Sequence, residues 1–204
     1  MKTLIEKTLL QSYTYADYRE LVAQLVEEGK TTGPNQSEFY VDITKLNQSR
    51  MDRLDKKARF SSEMENMLAG LTRPYTFLVL TEAWCGDAAQ TTPLLNHMAT
   101  ATDQINLRFA LRDDNPELMD HFLTDGGRSI PKVIILAPET NEVLDSWGPR
   151  PAPAQEMAMA HKYQPEPKPD YNTFNVALHK WYAKDKTQTS QEELMALLEE
   201  IEGR

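Results

Sequence analysis

Residues 75–88 read YTFLVLTEAWCGDA, and this stretch decides the fold. Its first seven residues form a nearly continuous apolar run, which is typical of a central strand that is covered on both faces. After the cysteine, apolar residues recur at helical spacing at Leu94, Leu95 and Met98. The pattern therefore predicts a buried strand that leads directly into a helix, with Cys85 at the start of that helix.

The elements that follow predict an α/β fold. Residues 105–111, 133–136 and 143–147 each form a strand-like run, and a short helix beginning at Asn115-Pro116 separates the first two. The last two strands are too close in sequence for a crossover, so we expect an antiparallel hairpin. The order β-α-β-α-β-β indicates a mixed central sheet flanked by helices.

Helical extensions are expected on both sides of this core. Residues 14–29 form an amphipathic pattern, residues 39–43 are a short strand candidate, and residues 47–70 are helical in pattern with a break near Ser61. Residues 149–169 contain six of the twelve prolines, and two helical patterns follow them. We expect a helical extension at 1–38, the central domain at 39–150, and a Pro-rich segment with helices packed on that domain at 151–204.

Composition excludes several classes of partner. The chain has 204 residues and a net charge of −9, which argues against nucleic acid and against anionic membranes. No apolar run approaches the length of about 18 residues that a membrane span needs. The single cysteine excludes an intramolecular disulfide and fits a reducing, cytoplasmic location. The four histidines share no ligand spacing with that cysteine, so we expect no metal site.

The stretch 75–148 resembles the thioredoxin family in five features that occur in the family's order. They are a buried strand running into Trp84-Cys85-Gly86, the cysteine at the mouth of a helix, Pro93 inside that helix, Ile130-Pro131 before a strand and after a glycine turn, and Gly148 at the end of the last strand. The resemblance implies a thioredoxin-like fold, in which residues 39–70 supply the first strand and first helix.

The resemblance also implies a binding groove. It predicts a cis peptide bond between Ile130 and Pro131, which turns the Ile130 backbone towards Cys85. It places Trp84 as a partly exposed aromatic side chain beside the thiol. The expected site is therefore Cys85 as the catalytic residue, with a groove formed by Trp84, Gly86, Asp87, Ala88, Ile130 and Pro131.

Two departures from the family pattern alter the expected chemistry. Ala88 stands where the family carries its second cysteine, and Val79 stands where thioredoxins carry a buried aspartate. A mixed disulfide on Cys85 would therefore have no internal thiol to resolve it, and a second thiol from solution would be needed. The expected partners are small thiols such as glutathione or protein cysteines, without a cofactor.

The reactivity of Cys85 is left open by the sequence. A helix N-terminus lowers the pKa of a thiol, whereas the negative charge of Asp87 raises it. Glu82 and Lys132 lie close to the motif, and we expect both to be solvated charges rather than members of the site.

Three functions remain as alternatives. The first is a single-thiol redox protein that forms mixed disulfides in thiol homeostasis, and the second is a non-catalytic binding module on the same fold. The third, a thiol-dependent transferase, is disfavoured because the helices after residue 150 are too few for its all-helical domain.

Overall fold

The computed structural model describes residues 1–203 as a central sheet covered by helices on both faces. In chain order the elements are α1 (Lys2–Leu10), α2 (Tyr15–Glu27), α3 (Glu38–Lys57), α4 (Ser62–Gly70), β1 (Tyr75–Thr81), α5 (Gly86–Ala101), β2 (Ile105–Leu111), α6 (Pro116–Met119), β3 (Lys132–Ala137), β4 (Glu142–Trp147), α7 (Ala152–Tyr163), α8 (Tyr171–Asp185) and α9 (Gln188–Glu202). None of these helices is long and apolar enough to cross a membrane.

The sheet has the strand order β2-β1-β3-β4, with β1 at its centre. Strands β1 and β2 are parallel, and the other two pairs are antiparallel, which confirms the mixed sheet and the final hairpin. The register places Val79 beside Phe109 on one side and Val133 on the other. Every residue of β1 is buried, as its continuous apolar run predicts.

The two faces of the sheet carry separate hydrophobic clusters because side chains alternate along each strand. On one face Phe77 and Val79 pack with α2, α4, α5 and α9. On the other face Leu78 and Leu80 pack with α1, α6 and the Cys85 loop. The cysteine therefore lies at the edge of a closed core rather than on an open surface.

The strand candidate at 39–43 is wrong, because these residues form the first turns of α3. The buried residues of α3 recur at helical spacing, at Val41, Thr44, Asn47, Met51 and Leu54. A short apolar tract does not by itself distinguish a strand from a helix, and here the longer periodicity decides. The central sheet consequently lacks a strand from this segment.

Helices α7 and α8 follow the sheet and pack against each other. Ala154 of α7 and Leu178 and Tyr182 of α8 form a small hydrophobic cluster that is separate from the two clusters on the sheet. Helix α8 and Arg150, which precedes α7, contact the N-terminal end of α5 and so cover the cysteine loop.

Candidate functional site

Cys85 is held between the start of α5 and the segment before β3. Its sulfur accepts a hydrogen bond from the Ala88 N–H at 3.4 Å, so the residue caps α5. The same thiol donates to the Ile130 carbonyl oxygen at 3.2 Å. The Ile130–Pro131 peptide bond is cis. The structure thus brings together the two distant segments that the resemblance places in one groove.

The thiol is enclosed, and this decides the direction of its pKa. Cys85 is only 7% exposed. Burial, followed by the negative charge of Asp87, raises the pKa of the thiol to about 12. The Ala88 N–H and the Arg150 charge act in the opposite direction but are smaller. Because the thiolate is the nucleophilic form, this environment disfavours thiol chemistry at neutral pH.

Asp87 holds in place the part of the molecule that lies over the cysteine loop, namely Arg150 and the helices α7 and α8 that follow it, which we call the cover. Its Oδ2 accepts hydrogen bonds from Arg150 Nε at 3.0 Å and Nη2 at 2.5 Å, and its Oδ1 accepts one from the Tyr182 hydroxyl at 2.7 Å. The Asp87 side chain is 10% exposed and that of Arg150 is 18% exposed. This carboxylate therefore joins the cysteine loop to α8 and to the segment after β4.

Gly86 permits α8 to approach the start of α5 closely. A Cβ atom at this position would lie 2.8 Å from His179 Nε2, so any larger residue would displace the histidine. On its other side His179 Nδ1 pairs with the Gln90 side-chain amide at 3.1 Å. Burial, assisted by the Arg50 charge, lowers the pKa of His179 to about 4. The histidine is thus a neutral packing residue of the cover near pH 7.

Trp84 points away from this cover into a separate surface cavity. The cavity has a volume of about 440 Å³, and its lining includes Pro34, Tyr40, Arg112 and Arg128. The Arg112 guanidinium lies over the Trp84 ring at 4.9 Å, and Tyr40 meets the ring edge-on at 5.2 Å. The partly exposed tryptophan that the resemblance implies is therefore present, within a cavity that also contains Asp113, which pairs with Arg112 at 2.7 Å.

Both neighbouring charges that were expected to be solvated are buried. Glu82 is fully buried, and its Oε1 accepts a hydrogen bond from the Asp113 N–H at 2.8 Å. Burial raises the pKa of Glu82. Lys132 is 6% exposed and donates to the Gly148 carbonyl oxygen at 3.0 Å and to Thr124 at 2.8 Å. Both expectations were wrong because the apolar runs of β1 and β3 do not show which polar groups at the strand ends the adjacent loops cover.

Gly148 supports the proline segment from the other side. A Cβ atom at Gly148, whose φ is +111°, would lie 2.3 Å from the Pro131 carbonyl oxygen. Only glycine allows β4 to end so close to this backbone. The glycine that contributed to the resemblance therefore has a direct steric function.

Sequence reasoning missed Arg150, Tyr182 and His179 as members of the site. Arg150 lies 63 residues after Asp87, and Tyr182 lies 95 residues after it. Neither belongs to a spaced motif, and the only local indication is that prolines flank Arg150 and restrict its backbone. Within residues 1–203, no three His, Cys, Asp or Glu side chains are grouped so that they could hold a metal ion.

Comparisons with known proteins agree with this architecture. A family model described as thioredoxin matches residues 33–164. A crystal structure of a protein of unknown function from Pseudomonas aeruginosa is similar, with 18% identity, a TM-score of 0.58, and coverage of 92% of this chain and 98% of that one. An HIV epitope-scaffold is similar at 18% identity and a TM-score of 0.55, covering 87% and 96% of the two chains. No curated protein matches the sequence.

Proposed function

Because the chain belongs to the thioredoxin family, we propose that it is a binding protein on the thioredoxin fold whose single thiol stays protonated under α8. The observation that carries this proposal is the environment of Cys85. The sulfur is nearly inaccessible, its proton is directed to the Ile130 carbonyl oxygen, and burial beside Asp87 raises the pKa of the thiol to about 12.

The size of this pKa rise argues against a reactive resting state. A thiol with a pKa of about 12 is ionised in roughly one molecule in 10⁵ at pH 7, and only the ionised form attacks disulfides. The Ile130 carbonyl group is also occupied by the thiol itself. In the enclosed state, the groove offers neither a nucleophile nor this backbone acceptor to a partner.

The cavity beside Trp84 supports a protein partner. Trp, Tyr and Arg are the residues enriched at the energetic centres of protein interfaces, and Trp84, Tyr40, Arg112 and Arg128 all line this cavity. Two prolines in the lining restrict the backbone at its rim. A rigid cavity of this composition suits a side chain inserted from another protein.

Affinity capture with the wild type and three variants tests the binding function. Wild type and Cys85→Ser should retain the same partner, and Trp84→Ala should lose it. Leu10→Ala is the matched control, since Leu10 is an exposed apolar residue on α1 and should have no effect. Capture that requires Cys85 and is released by a reductant would contradict the proposal and favour thiol exchange.

Single-thiol exchange is the second candidate, and one structural observation favours it. Helices α7 and α8 form their own small hydrophobic cluster and are joined to the cysteine loop through polar contacts of Asp87 and Gln90. If this cover moved away, the Cys85 thiolate could attack a disulfide, form a mixed disulfide and expel the other sulfur as a thiolate. A second thiol from solution would then resolve the product, since position 88 is alanine.

Intact mass after incubation with oxidised glutathione distinguishes the two candidates. The binding function predicts no adduct on the native protein and one adduct after denaturation. A stoichiometric adduct on the native protein, absent from Cys85→Ser, would establish thiol exchange instead.

A further inference from the structure

A second cleft lies on the far side of Tyr182 from the cysteine, between α3, α8 and the start of α9. Its volume is about 530 Å³, within the range of roughly 300–1,000 Å³ that is typical of small-molecule sites. Its apolar lining includes Leu54, Ala58 and Phe60. This cleft takes no part in the function proposed above.

The rim of this cleft carries only positive charge. Four basic side chains line it: Arg53, Lys57, Arg59 and Lys186. Among residues 1–203, no Asp or Glu lines the cleft, although the whole chain has a net charge of −9. Within residues 1–203, none of these four side chains forms a salt bridge. The Nη1 atom of Arg59 donates only to the carbonyl oxygens of Lys56 and Ala58.

The acidic residues of α3 are used elsewhere. Asp52 and Asp55 both pair with Arg19 of α2. Arg53 and Lys57 are four residues apart on α3 and therefore repel each other on one helix face. An anion bound in the cleft would relieve this repulsion.

The cleft is held open by hydrogen bonds of Gln191. Its Oε1 accepts from the Ser61 N–H at 2.9 Å, and its Nε2 donates to the Arg59 carbonyl oxygen at 3.1 Å and to Thr187 at 2.9 Å. These bonds fix the segment after α3 against the start of α9. The cleft is therefore formed before a ligand arrives, which reduces the cost of binding.

We propose that this cleft binds a small amphipathic anion, a molecule of the fatty-acid type with one acidic group on an apolar body. The acidic group lies among Arg53, Lys57, Arg59 and Lys186, and the apolar body covers Leu54, Ala58 and Phe60. The Tyr182 ring lines the same cleft while its hydroxyl donates to Asp87, so the bound molecule lies one side chain away from the cysteine loop.

Titration of the full chain with octanoate, followed by amide resonances in NMR spectra, tests this proposal. We expect saturable shifts that are confined to residues 53–61 and 182–191. 1-Octanol, which has the apolar body without the charge, and acetate, which has the charge without the body, should each bind at least tenfold more weakly. Equal binding of octanol, or shifts that map to another part of the protein, would overturn the proposal.

Two variants and a control separate the charges from the shape of the cleft. Arg53→Gln/Lys57→Gln should weaken octanoate binding at least tenfold without lowering the melting temperature, because both side chains are exposed and repel each other. Ala183→Trp should block the cleft without changing its charge. Lys2→Gln/Lys162→Gln removes two exposed charges elsewhere and should leave affinity within twofold. Equal weakening in this control would refute a specific site.

Discussion

Removal of the Asp87 carboxylate should both destabilise the protein and expose the thiol. In the wild type this carboxylate accepts two hydrogen bonds from Arg150 and one from the Tyr182 hydroxyl. Asp87→Ala leaves a guanidinium and a hydroxyl without their acceptor in a nearly closed space. The free energy of unfolding should therefore fall by much more than for a surface ion pair.

The magnitude follows from the burial of the two partners. Breaking a buried ion pair from one side costs about 3–5 kcal/mol, and an unpaired buried hydroxyl costs about 1–3 kcal/mol. The two terms share Asp87 and do not simply add. Arg150 keeps Gln155 as an acceptor at 2.8 Å and is 18% exposed, so we expect a loss near the lower limit, about 3 kcal/mol.

Urea unfolding measures this loss, and alkylation of Cys85 measures the exposure of the thiol. Since the charge of Asp87 contributes to the high pKa of Cys85, alkylation at pH 8 should accelerate at least tenfold in Asp87→Ala. Asp42→Ala is the control because Asp42 pairs with Lys45 on the surface and should cost less than about 1 kcal/mol. A variant at position 87 that matches this control in stability, with unchanged alkylation, would refute the reasoning.

Three further predictions concern the same cover. The pKa of Cys85 is raised in the folded state, so the folded protein keeps a proton that the unfolded chain loses above about pH 9. The stability of the wild type relative to Cys85→Ala should therefore fall by about 1.4 kcal/mol per pH unit between pH 9 and 10.5. Urea unfolding of both proteins measures this difference. His179 has a lowered pKa, so its imidazole should show no NMR titration between pH 5.5 and 8, and acidification below pH 6.5 should destabilise the wild type more than His179→Gln. Gly86→Ala should displace His179 and cost about 1–3 kcal/mol, whereas Gly70→Ala, where a Cβ meets nothing within 4 Å, should cost nothing; equal melting temperatures would contradict this.

The central strands could be predicted from the sequence because their burial produces simple patterns. The expected strand at 75–81 coincides with β1, and the close spacing of the last two strands correctly predicted the hairpin. Helix α3 could not be assigned at its start, since residues 39–43 are apolar enough to suit a strand. The buried face of α3 runs from Val41 to Leu54 and includes the polar residues Thr44 and Asn47, so its pattern is recognised only once the tertiary contacts are known.

The candidate site was predictable only where its parts are local or resemble the family. Residues 84–88 are contiguous, and Ile130-Pro131 was identified through the resemblance, so their meeting in space was expected. Arg150 and Tyr182 reach Asp87 from α7–α8 and the segment before it, which no sequence pattern connects to the cysteine.

A comparison of magnitudes explains why the pKa of Cys85 is raised although the residue lies at a helix N-terminus. A helix N-terminus stabilises a nearby negative charge by about 0.3–1 kcal/mol, which lowers a pKa by less than one unit. The rise in the pKa of Cys85 from 9.0 to about 12 corresponds to about 4 kcal/mol in the opposite direction. Burial and the charge of Asp87 therefore outweigh the helix N-terminus, and the net effect is a raised pKa of the Cys85 thiol.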